Sequence, residues 1–274
     1  MSIKVIGHRG VPVISPENTI LGFETAMRVG CDAIELDVRD CADFDHFPVI
    51  HDASVSRTTG GEGDVSHMSY SNLKNLDAGS GESIPDLQDV LDRLSNKIQV
   101  FIEIKNPIIA SDIAKIVSEN VEAKKWSYEN LVVISFYVDA IESVKKVDRN
   151  IHVGINIDKN IENIEFQESI IDIDSYEDNI KSSTNRSVIL EEGKEVENIA
   201  NLIVDLKPKY LNFAVDIISS SITAYAHSVD VQVNVWTVDK IDDIAKSIGA
   251  GVDGIISNDP LVVMEGLENI KTNS

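Results

Sequence analysis

Ile34-Glu35-Leu36-Asp37-Val38 is the stretch on which the fold turns. Side chains alternate across a strand, so Glu35 and Asp37 share one face and the three aliphatic residues the other. The stretch reads as a buried strand that releases polar groups where the backbone leaves the sheet. Ile6-Gly7-His8-Arg9-Gly10, Val49-Ile50-His51-Asp52 and Ile102-Glu103-Ile104-Lys105 carry the same pattern. The chemistry is expected where these four strand ends meet.

Outward from Ile34, the loop from Gly10 to Thr19 is rich in turn formers. Ile20, Phe23, Glu24, Met27 and Arg28 then keep a helical period, with Pro16 and Glu17 expected in the first turn. Gly30 stops that helix and Asp32 to Val38 forms the second strand, a βαβ unit with parallel strands. Only about eight residues separate Val38 from Pro48, fewer than the dozen a parallel crossover needs, so a hairpin is expected. A turn centred near Asp43-Phe44-Asp45 sets His51 opposite Asp37. Residues 53–84 have little period and many Ser, Gly and Thr, as in Arg57-Thr58-Thr59-Gly60-Gly61-Glu62-Gly63. A segment this long serves as a binding or lid element or forms a small subdomain.

Helices are predicted from Pro85 to Leu94, Ile109 to Glu122 and Val138 to Val147, and near Ile218–His227 and Ile241–Ile248. With the hairpin return set aside, strands begin near residues 4, 33, 98, 131, 151, 210, 231 and 253. Parallel strands of that number, alternating with helices, predict an α/β fold closed as a (β/α)8 TIM barrel, one domain over 1–274 with an insertion at about 53–84. Its active site belongs at the C-terminal strand ends. Residues 158–198 stand apart as an acidic, weakly periodic stretch, read as a solvated excursion, a cover for the barrel mouth or a subunit contact.

Buried charges are costly unless paired or bound to a metal. Glu35, Asp37 and Glu103 suit a hard divalent cation, Mg²⁺ or Ca²⁺ with Mn²⁺ admissible, better than zinc, which prefers nitrogen and sulfur. The plainer alternative pairs these acids with Arg9 and Lys105. His8 and His51 bracket the set and can act as general base and general acid near neutral pH. Together these groups suit metal-assisted cleavage of a phosphoester. Asp52 is read as a further ligand or as the orienter of a neighbouring side chain, and Asn18 as a brace near His8 or a substrate contact. His46, His67, His152 and His227 have no evident partner in the sequence.

The chain has 274 residues, 43% of them hydrophobic, and a net charge of -22. That charge argues against nucleic acid and against stable association with anionic membranes, so any anionic substrate must be attracted locally. Cys31 and Cys41 lack metal-like spacing and read as two free thiols. Met1-Ser2-Ile3-Lys4-Val5 enters a strand at once, and no run of about 18 apolar residues follows, so a cytoplasmic protein is expected. The oligomeric state stays open, a homo-oligomer included.

The motifs together resemble the glycerophosphodiester phosphodiesterase family. The resemblance runs through His8-Arg9-Gly10, Pro16-Glu17-Asn18-Thr19, Glu35-Leu36-Asp37-Val38, His51-Asp52 and Arg57-Thr58-Thr59. It continues through Ile102-Glu103-Ile104-Lys105, Asn234-Val235-Trp236-Thr237-Val238 and Gly251-Val252-Asp253-Gly254-Ile255-Ile256. It implies a barrel of the phospholipase-C-like phosphodiesterase type and metal-dependent hydrolysis of glycerophosphodiesters to sn-glycerol 3-phosphate and an alcohol. It further implies Glu35, Asp37 and Glu103 as metal ligands, His8 and His51 as the acid/base pair, Arg9 and Lys105 on the phosphate, and Trp236 against the glycerol end. The hairpin tip, Asp40 to Phe47, departs from the family's short Asp-Gly turn. Two alternatives stand beside this reading: a phosphodiesterase for lysophospholipid or inositol headgroups, and a non-catalytic phosphodiester-binding barrel.

Overall fold

A computed structural model describes residues 2–158 and 195–273. Eight parallel strands, β1 (Lys4–His8), β2 (Ala33–Val38), β3 (Gln99–Ile104), β4 (Leu131–Ser135), β5 (His152–Ile157), β6 (Tyr210–Ala214), β7 (Gln232–Trp236) and β8 (Gly254–Ser257), pair in chain order. The sheet closes through β8, where Lys4 partners Gly254 and Gly7 partners Ser257. This is the α/β barrel expected from the periodicity.

The described helices are α1 (Ile20–Val29), α2 (Tyr70–Lys74), α3 (Leu87–Leu94), α4 (Ala110–Glu122), α5 (Val138–Val147), α6 (Glu195–Leu206), α7 (Ser220–Ser228), α8 (Ile241–Ala250) and α9 (Pro260–Asn273). The main core lies between strands and helices. On α3, Leu87, Val90, Leu91 and Leu94 share one face and are fully buried against it, each contributing roughly 1.5–3 kcal/mol of transfer free energy. Leu91→Ala would cost on the order of 2–5 kcal/mol.

Several boundaries differ from expectation. α1 begins at Ile20, because Thr19 caps it by accepting from Gly22 N, and Pro16 and Glu17 remain in the preceding loop. The hairpin is reduced to an antiparallel bridge between Val38 and Val49. Ile50 N donates to Asp37 O at 3.0 Å, so Ile50, and not His51, lies opposite Asp37. The register is one residue off because the turn centres between Asp43 and Phe44. The helices α2, α6 and α9 have no counterpart in the sequence reading. α9 opens at Asp259-Pro260, a capping residue type followed by proline at the first helical position, which is a start signal in the sequence.

Residues of the 53–84 span build a small apolar cluster of their own with Cys41 and Ile50, centred on Val55, Val65, Tyr70, Leu73 and Ile84. This favours the small-subdomain reading of that span, since an open loop has no core. The acidic stretch at 158–198 falls almost wholly outside the described residues. Cys31 and Cys41 are free and buried.

Candidate active site

The C-terminal ends of β1, β2, β3 and β7, with the segment after the Val38–Val49 bridge that carries His51, deliver the predicted groups to one place. His8, Arg9, Glu35, His51, Glu103, Lys105 and Trp236 line a single cavity of about 110 Å³, with Phe136, Asn156 and Thr237 completing its wall. Asp37 sits at its edge, buried and tied to Arg9 Nε at 3.3 Å and Lys105 Nζ at 3.4 Å. A larger cavity, about 420 Å³, opens at the opposite end of the barrel beside Lys4, Gln99 and His152, and none of the three acids or two catalytic candidates reaches it.

The loop after β1 makes the sharp departure that aims His8 and Arg9. Arg9 takes a left-handed φ of 56° and Gly10 one of 92°. A Cβ on Gly10 would lie 2.8 Å from the backbone of Gly22, so glycine is required for the loop to pass over α1. Arg9 N then donates to Glu35 Oε2 at 3.1 Å, and the Arg9 guanidinium also meets Glu17 at 3.1 Å.

One carboxylate oxygen from each of Glu35, Asp37 and Glu103 lies within 4.8 Å of the others. Burial, then Asp37 and Glu103, pushes the Glu35 carboxyl well above its ordinary value. Burial acts on Asp37 the same way, but Lys105, His51 and Arg9 outweigh it and hold Asp37 low. Glu35 Oε1 is buried without a hydrogen-bond partner among the described residues, and Asp37 Oδ1 has the Lys105 ammonium at 3.4 Å but no hydrogen bond. Buried carboxylate oxygens this thinly partnered are costly. A hard cation would satisfy them, so the donor set fits a metal ion of the Mg²⁺ or Ca²⁺ kind.

The two histidines share one arrangement. His8 Nδ1 lies 2.7 Å from Asn258 Oδ1, and His51 Nδ1 lies 2.7 Å from Asp52 Oδ1. Both partners accept, so each Nδ1 carries the proton and each neutral ring keeps its lone pair on Nε2. Asn258 cannot turn its amide round, because its Nδ2 donates to Asp239 Oδ2 at 2.8 Å. Asp52 is held by Arg57, whose other contacts run to Glu17 at 2.7 Å and 2.8 Å. Arg39 Nε fixes the His51 carbonyl at 2.7 Å. Burial, then Arg9, lowers His8 to about 4; burial, with Lys105 and Arg9, lowers His51.

Arg9 and Lys105 therefore line the cavity and pair with its acids at once, Lys105 Nζ reaching Glu103 Oε1 at 2.6 Å. Asn18 braces Asp37, donating to Oδ2 at 2.8 Å. Trp236 is partly buried, stands edge-on to Phe136 and donates from Nε1 to Asn212 O. Sequence reasoning did not single out Glu17, Arg39, Asn156, Asp239 or Asn258. A signal existed for Asn258, since Asn258-Asp259 directly follows the end of β8 at Ser257. Of the histidines left without a partner, His46 meets Asp86 at 3.1 Å and stacks on Tyr70, and His227 meets Asp253 at 2.8 Å.

Comparison with known proteins is consistent with this geometry. A glycerophosphodiester phosphodiesterase of Caldanaerobacter subterraneus subsp. tengcongensis is 32% identical over 270 residues, covering 95% of this chain and 96% of that relative. One from Bacillus altitudinis is 30% identical over 66% of this chain and 77% of its own length. Among solved structures, an Oleispira antarctica phosphodiesterase in complex with the product sn-glycerol-3-phosphate superposes with a TM-score of 0.74 at 22% identity, covering 97% of this chain and 96% of that one. A glycerophosphodiester phosphodiesterase from Agrobacterium tumefaciens str. C58 gives 0.71 at 21% identity, with 97% and 100% covered. At that identity these two show the barrel alone. The profile of the glycerophosphoryl diester phosphodiesterase family matches residues 8–262, from the first candidate histidine to the last helix, and with the full-length relative this shows that the chain belongs to that family.

Proposed function

We propose that this chain hydrolyses glycerophosphodiesters to sn-glycerol 3-phosphate and an alcohol, as one barrel unit with an insertion at about 53–84. The observation that carries the reading is the pair of histidines, each held at Nδ1, that line one cavity with Glu35 and Glu103, where Asp37 completes the cluster of carboxylates. Glu35, Asp37 and Glu103 would hold a divalent cation, Mg²⁺ or Ca²⁺, with Mn²⁺ acceptable to the same oxygen donors. When bound, such an ion supplies Lewis-acid polarisation of the phosphoryl oxygens and offsets their charge.

The protein's own groups do the rest. Burial leaves both His8 and His51 short of protons near pH 7, so one serves as base and takes the proton of the attacking water at its Nε2, while the other must first take up a proton from solvent, which it gives to the leaving alkoxide. Release of the base's proton to solvent restores the starting state, and the two transfers together consume one water per diester. Arg9 and Lys105 line the cavity and offer positive charge to the phosphate, the local attraction a chain of net charge -22 needs. Trp236 gives an aromatic wall for the glycerol end. Among the described residues no helix is long and apolar enough to cross a membrane, and we place the enzyme in the cytoplasm on water-borne diesters. The test is turnover of a panel of glycerophosphodiesters, glycerophosphocholine first, with divalent cations removed by chelator and then restored. Activity is expected to vanish and return; turnover that survives chelation overturns the metal-dependent reading and favours an inositol-headgroup phosphodiesterase.

A further inference from the structure

Barrel interiors are filled mostly by branched aliphatic side chains, and Ile6, Val132, Ile134 and Ile256 serve that purpose here. One layer departs from the rule. Asn156 on β5, Asn212 on β6 and Asn234 on β7 are register partners on consecutive strands, and all three are buried. Asn156 Nδ2 donates to Glu103 Oε2 at 3.0 Å. Asn212 Nδ2 donates to Asn156 Oδ1 at 2.8 Å, and Asn234 Nδ2 to Asn212 Oδ1 at 2.9 Å. β8 leaves room for the last amide: Gly254 is the register partner of Asn234, and a Cβ there would stand 2.3 Å from Asn234 Oδ1.

The direction of the chain is set at one end. An ionised carboxylate only accepts hydrogen bonds, so Asn156 must turn its NH2 toward Glu103. Its oxygen then faces Asn212, and the same constraint passes to the next strand. Reversing one amide would set oxygen against oxygen on one side and NH2 against NH2 on the other. Hydrogen bonds in such a series polarise one another in a low-dielectric interior. Lys105 Nζ holds the other oxygen of Glu103, so both ends of this carboxylate are pinned.

We propose that Asn156, Asn212 and Asn234 are positioning residues: a directional amide chain that aims the Glu103 carboxylate for cation binding. The proposal rests on the reading of Glu103 as a ligand, while the chain itself rests on the hydrogen bonds alone.

Asn212→Asp is nearly isosteric, keeps the acceptor facing Asn234 and removes the donor facing Asn156. An added carboxylate by itself attracts cations, whereas a broken chain weakens their binding, so the two effects have opposite signs. Calorimetric titration of Ca²⁺ and of Mg²⁺ into the substrate-free protein is expected to show dissociation constants raised about tenfold or more, the usual effect of losing a group behind a metal ligand, with the cooperative melt retained. Constants within about twofold of wild type in folded Asn212→Asp protein overturn the proposal. If that variant does not fold, Asn234→Asp at the far end of the chain is judged by the same criterion. Failure of the wild-type protein to bind either cation sinks the ligand reading instead. The chain's hold on Glu103 is then read from the side-chain amide resonances of Asn234 in Glu103→Gln: a shift relative to wild type supports serial coupling, and unmoved resonances overturn it.

Discussion

His8 Nδ1 and Asn258 Oδ1 lie 2.7 Å apart across 250 residues of sequence. Asp239 meets both the backbone N and the Nδ2 of Asn258 at 2.8 Å, so the amide oxygen has one direction left to face. Asn258→Ala frees the His8 ring at the loss of one hydrogen bond of about 1 kcal/mol, and kcat is expected to fall on the order of tenfold with KM little changed. His8→Ala removes the proton carrier and lowers turnover by at least about a hundredfold. Steady-state kinetics on glycerophosphocholine checks the order; an Asn258→Ala enzyme with wild-type kcat would show that the ring needs no such support.

Glu35→Gln separates stability from function. The Glu35 carboxyl is buried beside Asp37 and Glu103 and its pKa is pushed up, so ionised Glu35 destabilises the cation-free fold. The amide keeps an oxygen to accept from Arg9 N and removes one charge. Cation-free melting is expected to rise or hold. The increase given by saturating Mg²⁺ or Ca²⁺, worth about 2.7 kcal/mol at a hundredfold excess over Kd in the wild type, is expected to disappear. A variant that still gains stability from the ion would remove Glu35 from the ligand set.

His8 predicts a pH dependence in the cation-free protein. Its folded pKa is lowered to about 4 from an ordinary 6.5, burial being the main cause and Arg9 the next. The unfolded chain takes up this proton near the ordinary value while the folded chain resists it. The stability His8 contributes is therefore complete above pH 6.5 and is lost as pH falls toward 4. Denaturant titrations between about pH 7.5 and pH 4.5 should show a smaller decline in His8→Asn than in wild type, with the carboxylates common to both. Parallel declines would assign the acid sensitivity elsewhere.

The thiols should be inert. Burial, then Asp32, pushes Cys31 up to about 12, and burial is the first cause pushing Cys41 up to about 11, where Sγ also donates to Asp43 O at 3.2 Å. The thiolate is the reactive form. Native protein at about pH 8 is expected to take up iodoacetamide far more slowly than the same protein in denaturant, by mass spectrometry. Rapid native labelling of either residue would mean that its surroundings open readily.

How much of this was legible beforehand follows from the range of each signal. Glu35, Asp37 and Glu103 announce themselves because alternation is a local property, and an acid on the inward face of an Ile- and Leu-rich strand has few benign explanations. The hairpin could be located but not registered, since its turn between Arg39 and Pro48 lacks a Gly-bearing two-residue signal and shifts the pairing by one. Asp52 was open between ligand and orienter, and only its contacts with His51 and Arg57 favour the second.

Alternation along single strands, and the spacing of helices between them, were enough to predict a closed parallel barrel with its acids and histidines at one end. Those patterns are written within a few residues of each other and survive without knowledge of the rest of the chain. What the tertiary structure alone decided was which distant groups stand behind the reacting ones: Asn258 behind His8 and three asparagines behind Glu103. Closure lays β8 against β1 and β7 against β6, so these contacts depend on the shape of the whole barrel, and no stretch of sequence contains both partners.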